Sequence, residues 1–398
     1  MTITVVGVKW PPETFIARLL QGLAERGVTC IVMVDRLRTR RARTPHAAIL
    51  LRWQPSPGSG IAGMISAAAH AAFRFPLHAR RALQLWRAAG STRSDLRGRL
   101  YTFLRCFGTS TVQTDVFYFP WNATAVELEP LLHLGVPTIV SCRGSQVNIA
   151  PLNPRRSHLV DGLRRSFALA TRVHCVSVAV MIEAERYGLQ RNKARIIRPA
   201  VDIARFAQSE VLSTPDVFHL MTVGNLTWVK SFEDAVYVVH MLTARGRNVH
   251  LTIIGEGVER QRLLFAMHDM GVANRVTLAG RRDPNDVRAS LQRSHAFILT
   301  SVSEGISNAV LEAMACGLPV VTTDCGGMRE VIRDGENGFI VPMRDPESMA
   351  SAIERLMDST VLCATIGAAA RATIVQHHAL DAQIDAWMDL LVDAPVAQ

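Results

Sequence analysis

The chain has 398 residues, 48% of them hydrophobic and 20% charged, with a formal net charge of +10. At ~150 residues per domain this length predicts two or three domains, and the hydrophobic content excludes disordered, collagenous and coiled-coil classes. No apolar run reaches the ~20 residues of a membrane-crossing helix, and TITVVGV at the start reads as a strand rather than a leader, so the expected location is cytoplasmic.

Along the first half, strands are predicted at TITVVGV (2–8), CIVMV (30–34), DVFYF (115–119), PTIVSC (137–142) and RVHCV (172–176). The second half repeats the habit with VFHLMTVG (217–224), VHLTIIG (249–255), RVTLAG (275–280), HAFILT (295–300), PVVTT (319–323) and GFIV (338–341). Helical patterns separate them, which is the signature of α/β layers built on parallel sheets. Two doubly wound domains are expected, 1–202 and 203–376, with the crossover in IIRPAVDIARF (196–206), where Pro199 ends a strand. Residues 377–398 carry Ile384, Trp387, Leu390 and Leu391 at helical spacing and are expected to pack back on the first domain. Open parallel sheets bind ligands beyond the carboxyl ends of their strands, so two such sheets facing each other predict a cleft.

The charge is divided unevenly: residues 1–200 carry +18 and residues 201–398 carry −8. Within 36–105 there are fourteen arginines and one acid, Asp95. Such a field draws in phosphate-bearing partners, whether anionic lipid, a lipid-linked diphosphate or nucleic acid. Residues 55–90 read as an insertion, with an apolar stripe of Ile61, Met64, Ile65, Ala68 and Ala72 broken at Pro76. After it, Arg80, Arg81, Gln84 and Arg87 share one helical face, opposite Ala82, Leu85, Trp86 and Ala89. That second helix fits a membrane surface, or equally an ordinary position with its apolar side on the core. The seven cysteines show no metal-ligand spacing and read as reduced core residues.

Chemistry concentrates in SVSEGISNAVLEAMACGLPVVTTDCGGMREVIRDGENGFIVP (301–342). A helix is predicted from Ser307 to Cys316, stopped by Gly317 and Pro319, and the N–H groups of Ser307, Asn308 and Ala309 then form a phosphate seat. Asn308 and Glu312 lie four apart with a rise of ~6 Å, which suits Glu312 to a ribose diol while the helix terminus holds the diphosphate. Glu304, on the loop before, faces whatever hangs beyond the distal phosphate. Those positions describe a nucleoside diphosphate carrying a hydroxylated group.

E304-G-I-S-N-A-V-L-E312 resembles the Glu-x7-Glu motif of glycosyltransferase family 4, retaining enzymes of the GT-B fold with two Rossmann-like domains. VGNLTWVKSFEDAV (223–236) is similar to that family's phosphate-binding segment: Lys230 falls on the diphosphate lysine, Asn225 where arginine is usual and Ser231 where glycine is usual. WPPETFI (10–16) resembles bacterial exopolysaccharide and colanic-acid-type members, and in SCRGSQV (141–147) Arg143 and Gln146 replace a histidine and an aspartate. A guanidinium at 143 cannot serve as a base. The resemblance implies Glu304 and Lys230 as catalytic residues. It implies donor contacts from Asn225, Gly305, Ile306, Ser307, Asn308, Ala309 and Glu312, with Arg281 and Arg282 by the base. Glu13, Thr14 and Arg143 fall on the acceptor side. It further implies a nucleotide-diphosphate sugar as co-substrate without a cofactor and, since no Asp-x-Asp occurs, without a metal. Together with the arginine excess, it points to a lipid-linked saccharide acceptor in cell-surface polysaccharide synthesis, not nucleic acid, and to a peripheral place on the inner membrane face. A soluble natural-product acceptor, or a nucleotide-sugar 2-epimerase on the same scaffold, are the competing readings.

Overall fold

The computed structural model describes residues 1–35, 42–92, 95–206 and 216–394. The chain divides into two compact units, Met1–Ile197 with Ile384–Gln398, and Arg198–Gln383.

The first unit holds seven strands: β1 (Thr2–Val5), β2 (Thr29–Val34), β3 (Ile49–Trp53), β4 (Val116–Phe119), β5 (Thr138–Cys142), β6 (Arg172–Cys175) and β7 (Ala194–Ile196). All pair in parallel, in the order β3-β2-β1-β4-β5-β6-β7. The inner strands β4 and β5 are buried at every position, as a parallel sheet covered on both faces requires. Edge strand β3 alternates buried and open residues and carries Arg52, so it lacks the continuous apolar run that marks the others. Helices α1 (Thr14–Glu25), α2 (Gly60–Arg74), α3 (Ala79–Thr92), α4 (Leu96–Ser110), α5 (Asn122–Glu127), α6 (Ser145–Asn148), α7 (His158–Leu169) and α8 (Val178–Glu185) belong to the same unit.

The two helices of the insertion behave differently. In α3 the apolar side is in the core, with Ala82, Leu85 and Ala89 buried and Trp86 edge-on to Phe103 at 5.6 Å. Arg81 donates to the Ser110 carbonyl at 2.9 Å, which ties its guanidinium to α4. The ordinary placement therefore holds for α3. In α2 the stripe of Ile61, Ile65, Ala68 and Ala72 is exposed, and Ala67 and Ala71 are buried instead.

The second unit holds β8 (Phe218–Val223), β9 (Val249–Ile254), β10 (Val276–Gly280), β11 (Ala296–Leu299), β12 (Val320–Thr323) and β13 (Phe339–Val341), all parallel, in the order β10-β9-β8-β11-β12-β13. Its helices are α9 (Phe232–Ala244), α10 (Arg260–Asp269), α11 (Pro284–Gln292), α12 (Asn308–Ala315), α13 (Pro346–Asp358) and α14 (Thr360–His377). In both sheets the winding reverses once, between β1 and β4 and between β8 and β11. Loops leaving the carboxyl ends of two such neighbours splay apart and leave a crevice, the usual ligand position of open α/β sheets.

The last helix, α15 (Leu380–Val392), returns to the first unit with Ile384, Trp387, Leu390 and Leu391 buried. The Trp387 indole lies 5.0 Å from the Tyr118 ring and 4.6 Å from His174. Gly22 of α1 leaves the room for Ile384, since a Cβ there would meet its side chain at 2.6 Å. Asp385 pairs with Arg26 at 2.8 Å, and Asp393 with Arg172 and Arg195 at 3.2 and 2.7 Å. Among the described residues, no helix is long and apolar enough to cross a membrane.

Trp387→Ala empties a fully enclosed slot and is expected to destabilise the first unit by about 3–5 kcal/mol. Urea unfolding followed by circular dichroism measures this, and an unmoved midpoint would mean that α15 is not part of that core.

Candidate active site

The second unit assembles its polar cluster at the reversal between β8 and β11. After β8 the chain passes through Gly224 and Asn225 into a single turn, Trp228–Lys230, which Ser231 ends in the left-handed region at φ 46 before α9 begins. A left-handed residue here is one that glycine adopts more easily. The Lys230 carbonyl accepts from Thr300 Oγ1 at 2.8 Å, and the Val229 carbonyl accepts from the Val302 N–H at 2.9 Å. These two bonds stitch the turn to the loop that leaves β11. Across the stitch, the Lys230 ammonium pairs with Glu304 Oε1, which also accepts from Ser301 Oγ at 2.9 Å. Both side chains are largely buried, so each supplies the other's counter-charge.

Glycines not singled out in the sequence fix this arrangement. Gly326, at φ +56, lies so close to the main chain of Glu304 that a Cβ would stand 1.9 Å from its carbonyl oxygen. The next amide, Gly327 N–H, donates to the Gly305 carbonyl at 2.7 Å. The Gly-Gly-Met turn is therefore the floor of the Glu304 loop. Gly255 and Gly257, after β9, do the same for the other loop: a Cβ would sit 1.8 Å from the Gly224 carbonyl and 2.3 Å from that of Leu226. The only sequence signal for them is glycine immediately after a strand.

Helix α12 begins at Asn308 and not at Ser307, because Ser307 is its N-cap: the Ser307 hydroxyl accepts from the Val310 N–H at 3.5 Å. That cap takes the third helical amide and leaves those of Asn308 and Ala309, with Ser307's own, outside the helix ladder. Val310, Leu311, Ala313 and Met314 are buried, while Asn308, Ala309 and Glu312 share the partly open face. Gly305 is buried and the Ile306 side chain is in the core, so only their main chains are available to a ligand. Asn225 is exposed, and its carbonyl accepts from the Thr227 N–H at 2.8 Å. Arg281 and Arg282 are exposed after β10, and Arg282 lines a groove with Asp286, Ser290 and Arg293. No hydrogen bond or ion pair among the described residues joins either arginine to Lys230 or Glu304.

In the first unit Glu13 is the N-cap of α1 and Thr14 its first residue, both exposed at the reversal between β1 and β4. The neighbouring Phe15 ring sits edge-on to Trp121 at 5.8 Å and carries the Arg143 guanidinium at 4.5 Å, which brings the start of α1 and Arg143 together. Gln146 is used internally, its side chain accepting from the Ala123 N–H at 3.3 Å. A cavity of about 290 Å³ opens beyond β1, β2 and β3, lined by Lys9, Asp35, Gln54, Arg105 and Glu127 among others. Arg105 and Glu127 pair at 3.0 Å.

Arg143 is anchored by a one-way chain of hydrogen bonds. Its Nη2 donates to the Tyr118 hydroxyl at 3.2 Å. Tyr118 lies 3.2 Å from Ser141 Oγ, which lies 2.8 Å from His174 Nδ1, and His174 Nε2 lies 2.9 Å from the Ile197 carbonyl. A carbonyl can only accept, so Nε2 carries the proton; neutral Nδ1 then accepts from Ser141, and Ser141 accepts from Tyr118. Burial, with help from the Arg143 charge, pushes the His174 pKa down to about 3 and keeps the ring neutral.

Two parallel sheets, each with its polar loops at the winding reversal, define the GT-B fold. The Glycosyltransferase Family 4 model matches residues 12–205 and the Glycosyl transferases group 1 model matches residues 217–359. The chain belongs to these glycosyltransferases. It is 35% identical over 185 residues to the lipopolysaccharide core biosynthesis glycosyltransferase LpsE of Rhizobium meliloti, covering 46% of this chain and 53% of that one. To the putative colanic acid biosynthesis glycosyltransferase WcaL of Escherichia coli it is 29% identical, covering 42% and 43%. The chain thus spans about half the length of the curated relatives it matches. Among solved structures, Anabaena Alr3699/HepE in complex with UDP and glucose superposes with a TM-score of 0.73 at 16% identity, covering 98% of this chain and 99% of that one. The apo lipopolysaccharide outer core galactosyltransferase WaaB gives 0.64 at 14%, covering 98% and 99%.

Gly326→Ala is expected to displace the Glu304 loop and lower the thermal midpoint, whereas Gly246→Ala, with open space around it though also at positive φ, should cost less. Equal losses would show that the close approach does not matter. His174 also sets a pH dependence. Its folded pKa lies below the ordinary 6.5, so stability is complete above that value. It falls as the pH drops toward about 3, by up to about 1.4 kcal/mol per unit. Chemical denaturation across that range should show a shallower slope in His174→Gln, and an unchanged slope would remove His174 as its cause.

Proposed function

We propose that the chain transfers a sugar, with retention of anomeric configuration, from a nucleotide-diphosphate sugar to a hydroxyl of a lipid-linked saccharide during cell-surface polysaccharide synthesis. The second unit takes the donor and the first the acceptor. The observation that carries this reading is the Lys230–Glu304 pair at the winding reversal, on the loop that leads into the unladdered amides of α12.

A nucleoside diphosphate competes with Glu304 for Lys230. Once its phosphates occupy the ammonium and the Asn308 and Ala309 amides, the Glu304 carboxylate is released from the ammonium and accepts hydrogen bonds from sugar hydroxyls. Glu312, one turn into the helix, accepts from the ribose. In the transfer, the bond from the anomeric carbon to the phosphate oxygen breaks and its electron pair stays on the phosphate. The acceptor oxygen bonds to the same carbon from the same face, and its proton passes to the leaving phosphate. Lys230 and the helix terminus stabilise the growing negative charge without a metal, as preorganised dipoles and charges do. With asparagine at 225, Arg281 and Arg282 are left to supply positive charge on the nucleoside side.

The cavity beyond β1 to β3, with Lys9, Asp35, Arg105 and Glu127 among its lining, offers hydroxyl-binding side chains of both signs to the acceptor saccharide. The UDP and glucose in the HepE complex and the names of LpsE and WcaL support a UDP-sugar as the first donor to try and a polysaccharide acceptor. The arginine excess of the first half supports a membrane-facing, peripheral location.

A thermal-shift panel of UDP, GDP, ADP and dTDP sugars is expected to single out one base through a raised midpoint, and no shift with any of them overturns the reading. Glu304→Ala should lower transfer by about 10²–10³ while nucleotide affinity is kept or raised, since the carboxylate that competes for Lys230 is gone, and Lys230→Ala should lose nucleotide affinity. Release of an epimerised donor in the absence of acceptor, or a product of inverted configuration by NMR, would exclude the proposed transfer.

A further inference from the structure

An ordinary surface helix buries its large apolar side chains and shows polar ones to water. Helix α2 does the reverse. Its core side is made of Ala67 and Ala71, with Met64 partly buried, while every fully exposed position of the helix is Gly, Ala, Ile or Phe. Ile61 is 81% exposed and Phe73 82%, with Ile65 between them on the same side. Past the helix, Phe75 and Leu77, the latter 79% exposed, and Leu83 of α3 are open to solvent as well. Solvated helices do not gather aromatic and branched aliphatic side chains in this way, and a contiguous patch of them marks a contact surface.

The charges beside it identify the partner. Residues 60–92 contain no Asp or Glu, and Arg80 and Arg87 are exposed on α3. Arg74, at the end of α2, is held by Thr111 at 3.0 Å. A second copy of the chain docked face to face would set arginine against arginine. A protein partner would need an acidic rim around an apolar centre. A bilayer with anionic headgroups presents both at once, hydrocarbon for Ile61, Ile65, Phe73 and Leu77 and phosphate for the guanidinium groups.

We infer that the exposed face of α2, with Phe75 and Leu77, is a wedge that enters the outer layer of an anionic bilayer, steadied by Arg80 and Arg87. This rests on the reading of the chain as a transferase working at a membrane, and it replaces a general basic attraction by one defined surface. It also moves the contact from the arginine face of α3, where Arg81 is committed to Ser110, to the neighbouring helix.

The test is flotation of the full chain with vesicles of phosphatidylcholine, with and without phosphatidylglycerol, at low and high salt. The chain is expected to float with the phosphatidylglycerol vesicles and to keep part of its binding at high salt, because the apolar contribution is not screened. The triple variant I61Q/I65Q/F73Q, at positions already in water, should keep its thermal midpoint and its nucleotide-sugar shift and lose vesicle binding more than about tenfold. R80E/R87E should lose the preference for phosphatidylglycerol. Binding unchanged in the triple variant, or binding abolished entirely by salt, overturns the wedge. So does a concentration-dependent dimer of the parent chain that the triple variant dissolves. A chain that floats but transfers no sugar defeats the catalytic reading alone, and one that transfers sugar without floating defeats this inference and the peripheral location while sugar transfer stands.

Discussion

The constraint on which the second unit depends is that one ammonium and one carboxylate, contributed by loops that leave different strands, are taken out of water together. Lys230 and Glu304 are 74 positions apart and largely buried. Either charge alone in that setting would be penalised by several kcal/mol, so both loops are required for either to be tolerable. The bonds from Thr300 and Val302 to the Lys230 turn hold the two loops in register before any ligand arrives. In the proposed reaction a diphosphate meets a cation that is already placed and largely shielded, and it has one carboxylate to displace rather than two loops to order.

The glycines around the pair are the other half of that constraint. Gly255, Gly257 and Gly326 each stand where a side chain would overlap a neighbouring carbonyl, so the loops after β9 and β8, and those after β12 and β11, are packed in pairs main chain against main chain. Such contacts leave little freedom for the loops to sag, and they transmit the position of β9 and β12 to Asn225 and Glu304. The first unit solves a similar problem with side chains: the Arg143 guanidinium is aimed by Phe15 on one side and by the Tyr118–Ser141–His174 chain on the other.

Much of this was legible in the sequence. Inner strands such as DVFYF and PTIVSC are buried on both faces, and their unbroken apolar runs announce them. Edge strand β3 has one open face and an arginine, so the same rule passes over it. Glu304 and Glu312 stand out by their spacing and setting and Lys230 by the family resemblance, but the ion pair between Glu304 and Lys230 does not, because nothing in a linear pattern reports which loops meet at a winding reversal. Periodicity found the stripe of α2 and could not say which side it faced, since a stripe of Ile and Ala is equally consistent with a core and with a surface. The floor beneath Glu304 does not stand out in the sequence, as close main-chain approach leaves no trace beyond the glycine itself.

The return of α15 has a consequence for how the polypeptide matures. Asp385 reaches back across 359 positions to Arg26, and Trp387 fills a slot between Tyr118 and His174. During synthesis the strands of the first unit leave the ribosome long before α15 exists, and its core stays open at that place until the helix has been made. Completion of this core is thus tied to translation of α15, so a product ending before Leu380 would lack the helix that fills the slot beside Tyr118 and His174.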